Sequence, residues 1–416
     1  MKIAVVGTGI SGLVVARGLA QEHDITVFEA GSYVGGHTNT IDVQENGRTV
    51  AVDTGFIVFN EVTYPGFCEL LKQLRVPYKP SNMGFSVACE QSGLEYSGSG
   101  LGGLFAQRRN WLRPGMWRLV RDIVRFYREA PAVLERPDPD LTLGQFLEEG
   151  RYSRIFIDKH LVPMCAAVWS ARADVIHAFP MRFLVQFFHN HGFLRLKDRP
   201  VWQVVRGGSR SYVEALIAPF ADRIRLSTPV RSVRRVGGMV QVETAGGEIE
   251  RFDRVVLACH GDQALRLLAD ADSLEQEILG AFAFQRNLAT LHWDEAQMPR
   301  CRRAWAAWNY HVRGAAGELP EVTYWMNELQ GLDAQRNYFV SLNRSGQIDP
   351  AKVLREIVYH HPVFTLEAVA AQARHHEIDG RGGVHYAGAW WRYGFHEDGL
   401  QSGLRVVQRI QQEALV

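Results

Sequence analysis

The sequence predicts an α/β fold: a parallel sheet with a mixed-sheet and helical part inserted into it. Three observations carry this. A short apolar strand at the N-terminal end runs into a glycine-rich turn and then a helix. A second strand follows and ends in an acid. The chain, at 416 residues, is too long for one ordinary domain of roughly 100 to 200.

The first element is "KIAVV", Lys2 to Val6, a β-branched-rich run of the kind buried on both faces of a parallel sheet. "GTGISG" follows, with Gly7, Gly9 and Gly12 in the pattern Gly-x-Gly-x-x-Gly. Gly7 permits a tight turn, Gly9 lets the backbone approach a pyrophosphate, and Gly12 lets helix and strand pack closely. Ile10, Leu13, Val14, Ala16 and Leu19 recur at helical spacing, so a helix opens inside the motif and its free N–H groups, from Ile10 and Ser11, meet the phosphates. "DITVFEA" reads as the next strand, running to Glu29 and Ala30. Glu29 stands 22 residues beyond Gly7, where an acid accepts hydrogen bonds from ribose hydroxyls and repels a 2′-phosphate. Strand, turn, helix, strand and acid in this order describe a Rossmann-like domain.

The same glycine spacing recurs in "GSGLGG", Gly98 to Gly103. There the preceding "GLEYS" carries a charge and a glycine where a buried strand is uniformly apolar, and the following stretch breaks at Pro114. It reads as a flexible loop. That leaves one dinucleotide site and no recognisable nicotinamide domain.

"GSYVGGHTNT" places the doublet Gly35-Gly36 shortly after Glu29, and "RTVAVDTGFIVF" supplies a strand ending in Asp53-Thr54-Gly55-Phe56. Through these residues the sequence resembles the flavin-containing amine oxidase superfamily, which includes monoamine oxidases, protoporphyrinogen oxidases and phytoene desaturases. The resemblance implies FAD rather than NAD, and a Rossmann-like domain of the glutathione-reductase-like type. It also implies that Gly35, Gly36, His37 and Thr38 lie by the pyrophosphate, and that Thr54, Gly55, Phe56 and Ile57 run beside the flavin ring. His37 departs from the family pattern, which has an arginine after the doublet.

Two distant stretches extend the resemblance. "RIRLSTPVRSVRR" with "VQVETAGGEIERFDRVVLACH" reads as strand, hairpin and strand, and the family implies adenine contact through the backbone of Val230. "VHYAGAWWRYGFHEDGLQSGLRVVQRIQQ" looks like the closing motif, in which a strand ending Ala387-Gly388 leads across the flavin into a last helix beginning near Glu397. Leu400, Leu404, Val407 and Ile410 form its apolar stripe, and Gly403 allows close approach. On the family pattern the backbone at Phe395, His396 and Glu397 would stabilise negative charge on the reduced flavin.

Flavin takes hydride equivalents at N5, so the protein mainly positions a C–H bond over the ring and excludes water. The candidates for the ring face are Trp390, Trp391, Arg392, Tyr393 and Phe395, with Trp391, Tyr393 and Phe395 the expected lining of the catalytic face and no acid or base assigned. Phe395 stands where monoamine oxidases place a tyrosine of their aromatic cage, and losing that hydroxyl points away from amines. Cys301, the nearest cysteine, lies far from the region of covalent attachment in the family, so non-covalent FAD is expected. No lysine falls between Lys197 and Lys352 to hold a water near N5. A narrower likeness, in "HGDQALRLL", "PMCAAVWS" and "GFHEDGLQSG", is to bacterial flavoproteins that often accompany cyclopropane-fatty-acid-synthase-like methyltransferases. It implies a small hydrophobic, lipid-derived substrate that is desaturated, reduced or isomerised. A true amine oxidase and a non-turnover FAD-binding module are the competing readings.

The implied FAD domain is discontinuous, built from 1–75, 205–265 and 375–416. Residues 76–204 and 266–374 then form the substrate domain, mostly helical over 101–195, with strands in 82–97, "LATLHWDE" and "YFVSLN". A net charge of +1 argues against nucleic acid as a partner. Five cysteines without metal-ligand spacing, no signal-peptide pattern and no apolar run of about 18 residues point to a cytoplasmic protein. "FHNHGF" puts His189 and His191 two apart without a third ligand, so no metal is expected. Seven arginines between Arg108 and Arg128 are interleaved with Trp111, Trp117, Phe126 and Tyr127. This segment reads either as an amphipathic helix with solvated arginines or as a peripheral contact with the inner face of the membrane.

Overall fold

The computed structural model describes residues 1–136, 138–195, 197–313 and 319–414. Its organising element is a five-stranded parallel sheet in the order Ile224–Arg225, Asp24–Phe28, Lys2–Val6, Arg254–Leu257, Val384–Tyr386. Lys2–Val6 is central and feeds two cores. Ile3 and Val5 pack toward the first helix (Ile10–Leu19) and the last (His396–Glu413), whereas Ala4 and Val6 pack with Val233, Leu257 and Trp390. A strand covered on both faces has no solvent side, which is why "KIAVV" is apolar throughout. The chain turns to one side of this strand first and to the other later, and the crevice at the carboxyl ends there is where such sheets bind ligands.

A seven-stranded mixed sheet provides the second layer. Its order is Val353–Val363, Ala283–His292, Phe339–Leu342, Glu321–Trp325, Trp308–Val312, Phe85–Cys89, Leu94–Ser97, antiparallel except where Trp308–Val312 pairs with Phe85–Cys89. The largest core lies between this sheet and the helices that follow residue 114. Three smaller antiparallel sheets complete the β-structure among the described residues, one of them Val230–Val236, Met239–Thr244 and Ile249–Phe252.

Buried Asp53 fastens several of these pieces. Its carboxylate accepts from Thr40 Oγ1 (2.6 Å), Ser209 N (2.9 Å), Ser209 Oγ (2.8 Å) and Gln330 Nε2 (2.9 Å), joining the hairpin Thr40–Glu45/Arg48–Asp53 to the turn before Arg210–Ile217 and to the mixed-sheet region.

Two sequence expectations need correction. "GSGLGG" is not a loop: Leu94–Ser97 is a buried edge strand, and Gly100–Leu104 is a short helix. The strand is antiparallel to its neighbour, and the added Cβ of a residue at Gly103 would lie 2.3 Å from Ser97 Oγ, so the glycine serves a tight fold-back. His189 and His191 lie at the end of the helix Met181–Asn190, and the His191 ring stacks on Phe187 (3.9 Å). Leu404 is 40% exposed, and Val406 takes its place in the stripe with Leu400, Val407 and Ile410. A helix turns 100° per residue, and the close seat of Gly399 and Gly403 on the first helix fixes which face points inward.

That seat is tight. A Cβ at Gly403 would come within 2.7 Å of Ser11 O, and one at Gly399 within 2.7 Å of Ile10 Cγ2. Gly403→Val should therefore cost about 1–3 kcal/mol by overpacking, read as a lower thermal midpoint; an unchanged midpoint would mean that the two helices are not in contact there.

Candidate functional site

The crevice opens into a cavity of about 720 Å³ between the parallel sheet and the mixed sheet, within the usual range for a ligand site. Two helices begin at its wall. The first is entered through Gly7, whose φ of +105° only glycine adopts comfortably, and its N-cap, Gly9, carries no side-chain cap. A Cβ at Gly9 would meet nothing within 4 Å, whereas one at Gly12 would lie 2.0 Å from Gly7 O. Gly9 thus leaves its backbone open to the cavity while Gly12 closes the turn. The last helix starts at His396, again without a side-chain hydrogen bond to its free N–H groups from Phe395.

Of the residues singled out in the sequence, Gly7, Gly9, Ile10, Ser11, Glu29, Ala30, Gly35, Gly36, His37, Thr54, Gly55, Phe56, Ile57, Val230, Gly388, Tyr393, Phe395 and His396 line this cavity. Glu29 accepts from Thr8 N (2.9 Å) and Gly31 N (2.8 Å), and its carboxylate retains acceptor positions for ribose hydroxyls.

Arg392, also singled out, is exposed and does not line the cavity, and four singled-out residues stand behind the wall. Gly12 packs on Gly7. Thr38 Oγ1 bonds Tyr212 OH (2.7 Å), which in turn bonds His396 Nε2 (2.6 Å), so Thr38 acts on the cavity only through His396. Glu397 turns its carboxylate away to accept from Gly66 N (3.0 Å) and Phe67 N (2.8 Å), capping the helix Pro65–Leu74. Trp391 is the fourth. The 3₁₀ turn Ala389–Trp391 sends successive indoles in different directions, so Trp390 reaches the cavity and Trp391 is buried against Phe282 (5.0 Å) and His375 (4.6 Å).

Sequence reasoning passes over a group of imidazoles. His260, His360 and His361 line the cavity near His37, with ring centroids 6.2 Å from His37 to His260 and 5.5 Å to His361. Burial, reinforced by the other histidines, holds His37 down to about 4 and His260 and His361 down to about 3, so these rings are neutral. His361 has a defined tautomer. Asn287 Nδ2 faces the Ser170 carbonyl and His361 Nδ1 (2.9 Å), while Asn287 Oδ1 accepts from Asn343 Nδ2 (2.8 Å); the amide therefore donates to Nδ1, and the proton of His361 sits on Nε2. The paired histidines in "VYHHP" are the only sequence signal of this cluster.

Away from the glycines the cavity becomes apolar. Met83, Val168, Trp169, Phe187, Trp308 and Leu342 are among its lining residues, Phe187 stacks on Phe395 (4.8 Å), and Trp169 Nε1 donates to the Tyr393 carbonyl (3.3 Å). His396 stacks on Phe56 at 3.6 Å and is held neutral, down to about 3, by burial and by His37. Among the described residues no group of three or more His, Cys, Asp or Glu side chains could hold a metal ion.

Asp398, in the first turn of the last helix, accepts from Phe395 N (3.0 Å), yet burial pushes its carboxyl up to about 7. A native value above the unfolded one means that the folded protein binds the extra proton between about pH 4 and 7, so this group's contribution to stability falls as pH rises through that window. Asp398→Asn keeps an acceptor for Phe395 N but has nothing to titrate. The variant should gain in thermal midpoint relative to the parent between pH 5 and pH 8, measured on the flavin-free protein, and a pH-independent difference would contradict the assignment.

Residues 10–292 match the family described as flavin containing amine oxidoreductase. No curated protein matches the chain. Among solved structures it is similar to cyclohexylamine oxidase from Brevibacterium oxydans IH-35A (16% identity, 100% of this chain and 99% of that one, TM-score 0.72). It is also similar to wild-type putrescine oxidase bound to putrescine (15%, 99% and 99%, TM-score 0.66) and to a CLA-producing fatty acid isomerase from P. acnes (16%, 98% and 98%, TM-score 0.66). The family match spans more than half of the chain and includes the first helix of the glycine motif, so the protein belongs to the flavin containing amine oxidoreductases and is an FAD-dependent oxidoreductase.

Proposed function

We propose that the protein holds FAD non-covalently and passes hydride equivalents between the flavin and a hydrophobic, lipid-derived substrate, by desaturation, reduction or isomerisation. The observation that supports the substrate class is the cavity's lack of acids. Among the described residues Glu29 is the only carboxylate lining it, and Glu29 is engaged at the glycine end by Thr8 and Gly31. An ammonium entering the aromatic arm would lose its water and find no counter-charge. One buried donor in that arm, Trp308 Nε1, has no partner.

The residues present fit the cofactor. The open backbone of Gly9 and the N–H groups of Ile10 and Ser11 would take the pyrophosphate, Glu29 the ribose, and the start of the last helix the pyrimidine edge of the ring. Bound FAD supplies an N5 position that accepts or returns hydride equivalents. The chain itself closes the ring face to water with Tyr393, Phe395 and Trp169, and neutral His361 carries an N–H at Nε2 that can donate a hydrogen bond. Cys259 is the only cysteine lining the cavity among the described residues, and burial pushes its thiol up to about 12. Without a thiolate at neutral pH it is a poor candidate for a bond to flavin.

The test is anaerobic mixing of the flavin-loaded protein with acyl lipids, with simple amines and with NADPH. Acyl lipids should be turned over or bleach the flavin, amines should do neither, and acid precipitation should release all flavin into the supernatant. Bleaching by amines, with peroxide on admitting air, would establish the amine oxidase reading instead.

A further inference from the structure

We propose that the turn Arg108–Leu112 and the helix Pro114–Glu129 form a docking surface for an anionic lipid bilayer. The proposal stands apart from the substrate reading, because none of its residues lines the cavity.

The helix already has its inward face occupied. Met116, Leu119, Asp122 and Phe126 are buried, and the Asp122 carboxylate accepts from Ser153 N (3.0 Å). Apolar groups nevertheless remain outside: Leu112 is 88% exposed, and Trp111 and Trp117 are 49% exposed. The two indoles are not loose. Trp111 stacks on buried Phe105 (3.7 Å, 14°), and Trp117 Nε1 donates to the Trp111 carbonyl (3.0 Å). They form a fixed apolar platform beside Leu112, and indoles that keep one wet edge favour the interface between hydrocarbon and water.

Around this platform positive charge is uncompensated. Seven arginines between Arg108 and Arg128 share their segment with two carboxylates, Asp122 and Glu129. Asp122 is buried, and Glu129 is taken by Arg125, Arg128 and Tyr152. Arg108, Arg109, Arg113 and Arg118 have no carboxylate within 4.0 Å among the described residues. The turn Arg302–Ala304 packs against the neighbouring strand Leu94–Ser97 and helix Gly100–Leu104, and adds exposed Arg303. Guanidinium groups pair bidentately with phosphate. Phosphate alone, as on a nucleic acid, would leave Leu112 and the indoles in water. A bilayer of anionic phospholipid satisfies both features at once, with phosphates for the arginines and acyl chains for Leu112, Trp111 and Trp117.

The experiment is flotation of the flavin-loaded protein with vesicles of phosphatidylcholine alone and of phosphatidylcholine mixed with phosphatidylglycerol, at about 0.1 M salt. The protein should float with the mixed vesicles and not with the neutral ones. Arg108→Glu combined with Arg118→Glu should lower the floated fraction about tenfold, and Leu112→Asp should lower it comparably. Both variants should keep the parent's flavin spectrum and thermal midpoint, which separates loss of docking from loss of fold. Failure to float with mixed vesicles, or flotation unchanged in both variants, would overturn the proposal. Arginine dependence with no effect of Leu112→Asp, together with equal retention on single-stranded DNA, would overturn it in favour of a polyanion site.

Discussion

The close contact between the first and last helices governs the rest of this structure. Ser11 O lies where a Cβ at Gly403 would have to go, and Ile10 Cγ2 where one at Gly399 would, so the two helices approach more closely than ordinary side chains allow. Because they run side by side with Ile10 and His396 at their starts, two sets of unsatisfied N–H groups open into one cavity. Negative charge on a dinucleotide flavin, at its central pyrophosphate or on its reduced ring, would then meet the positive end of a helix dipole. The parallel sheet beneath holds the pair in place through Ile3 and Val5, and Asp53 ties the hairpin and the mixed-sheet region to that frame.

The cavity divides by polarity along its length. Its glycine end offers backbone N–H groups and one engaged carboxylate; its other end offers aromatic faces. Between them stand imidazoles that burial keeps neutral. His37 occupies the place where the resembling family has an arginine, and a neutral ring there removes a permanent cation from the phosphate side. His37 Nε2 is buried without a partner.

Much of this was legible in the sequence because it depends on local rules. A strand buried on both faces must be apolar, a turn with a positive φ at Gly7 must be glycine, and a helix start must leave N–H groups free; each leaves a mark within a dozen residues. The less legible features depend on direction and distance. Trp390 and Trp391 are the same residue type side by side, and only the turn at Ala389–Trp391 decides which one reaches the cavity. Glu397 reads as part of a flavin-facing motif, but its side chain is claimed by a helix more than 300 residues away in sequence. His360 and His361 meet His37 only because the strand Val353–Val363 crosses the crevice, and His260 joins them from the turn after the strand Arg254–Leu257; no spacing in the chain announces that. "GSGLGG" misled in the opposite sense: strand and short helix are both present, but the strand is an antiparallel edge strand and the motif lies outside the cavity wall.

Two helix N-termini, held together by glycine contacts, would then hold the pyrophosphate and the ring of one flavin dinucleotide. A crystal structure of the protein purified with its flavin tests this most directly. The account predicts one FAD per chain, with its pyrophosphate at the N–H groups of Gly9, Ile10 and Ser11 and the pyrimidine edge of its ring at the start of the last helix. Density for the ring away from His396, or for a pyrophosphate held elsewhere, would contradict it.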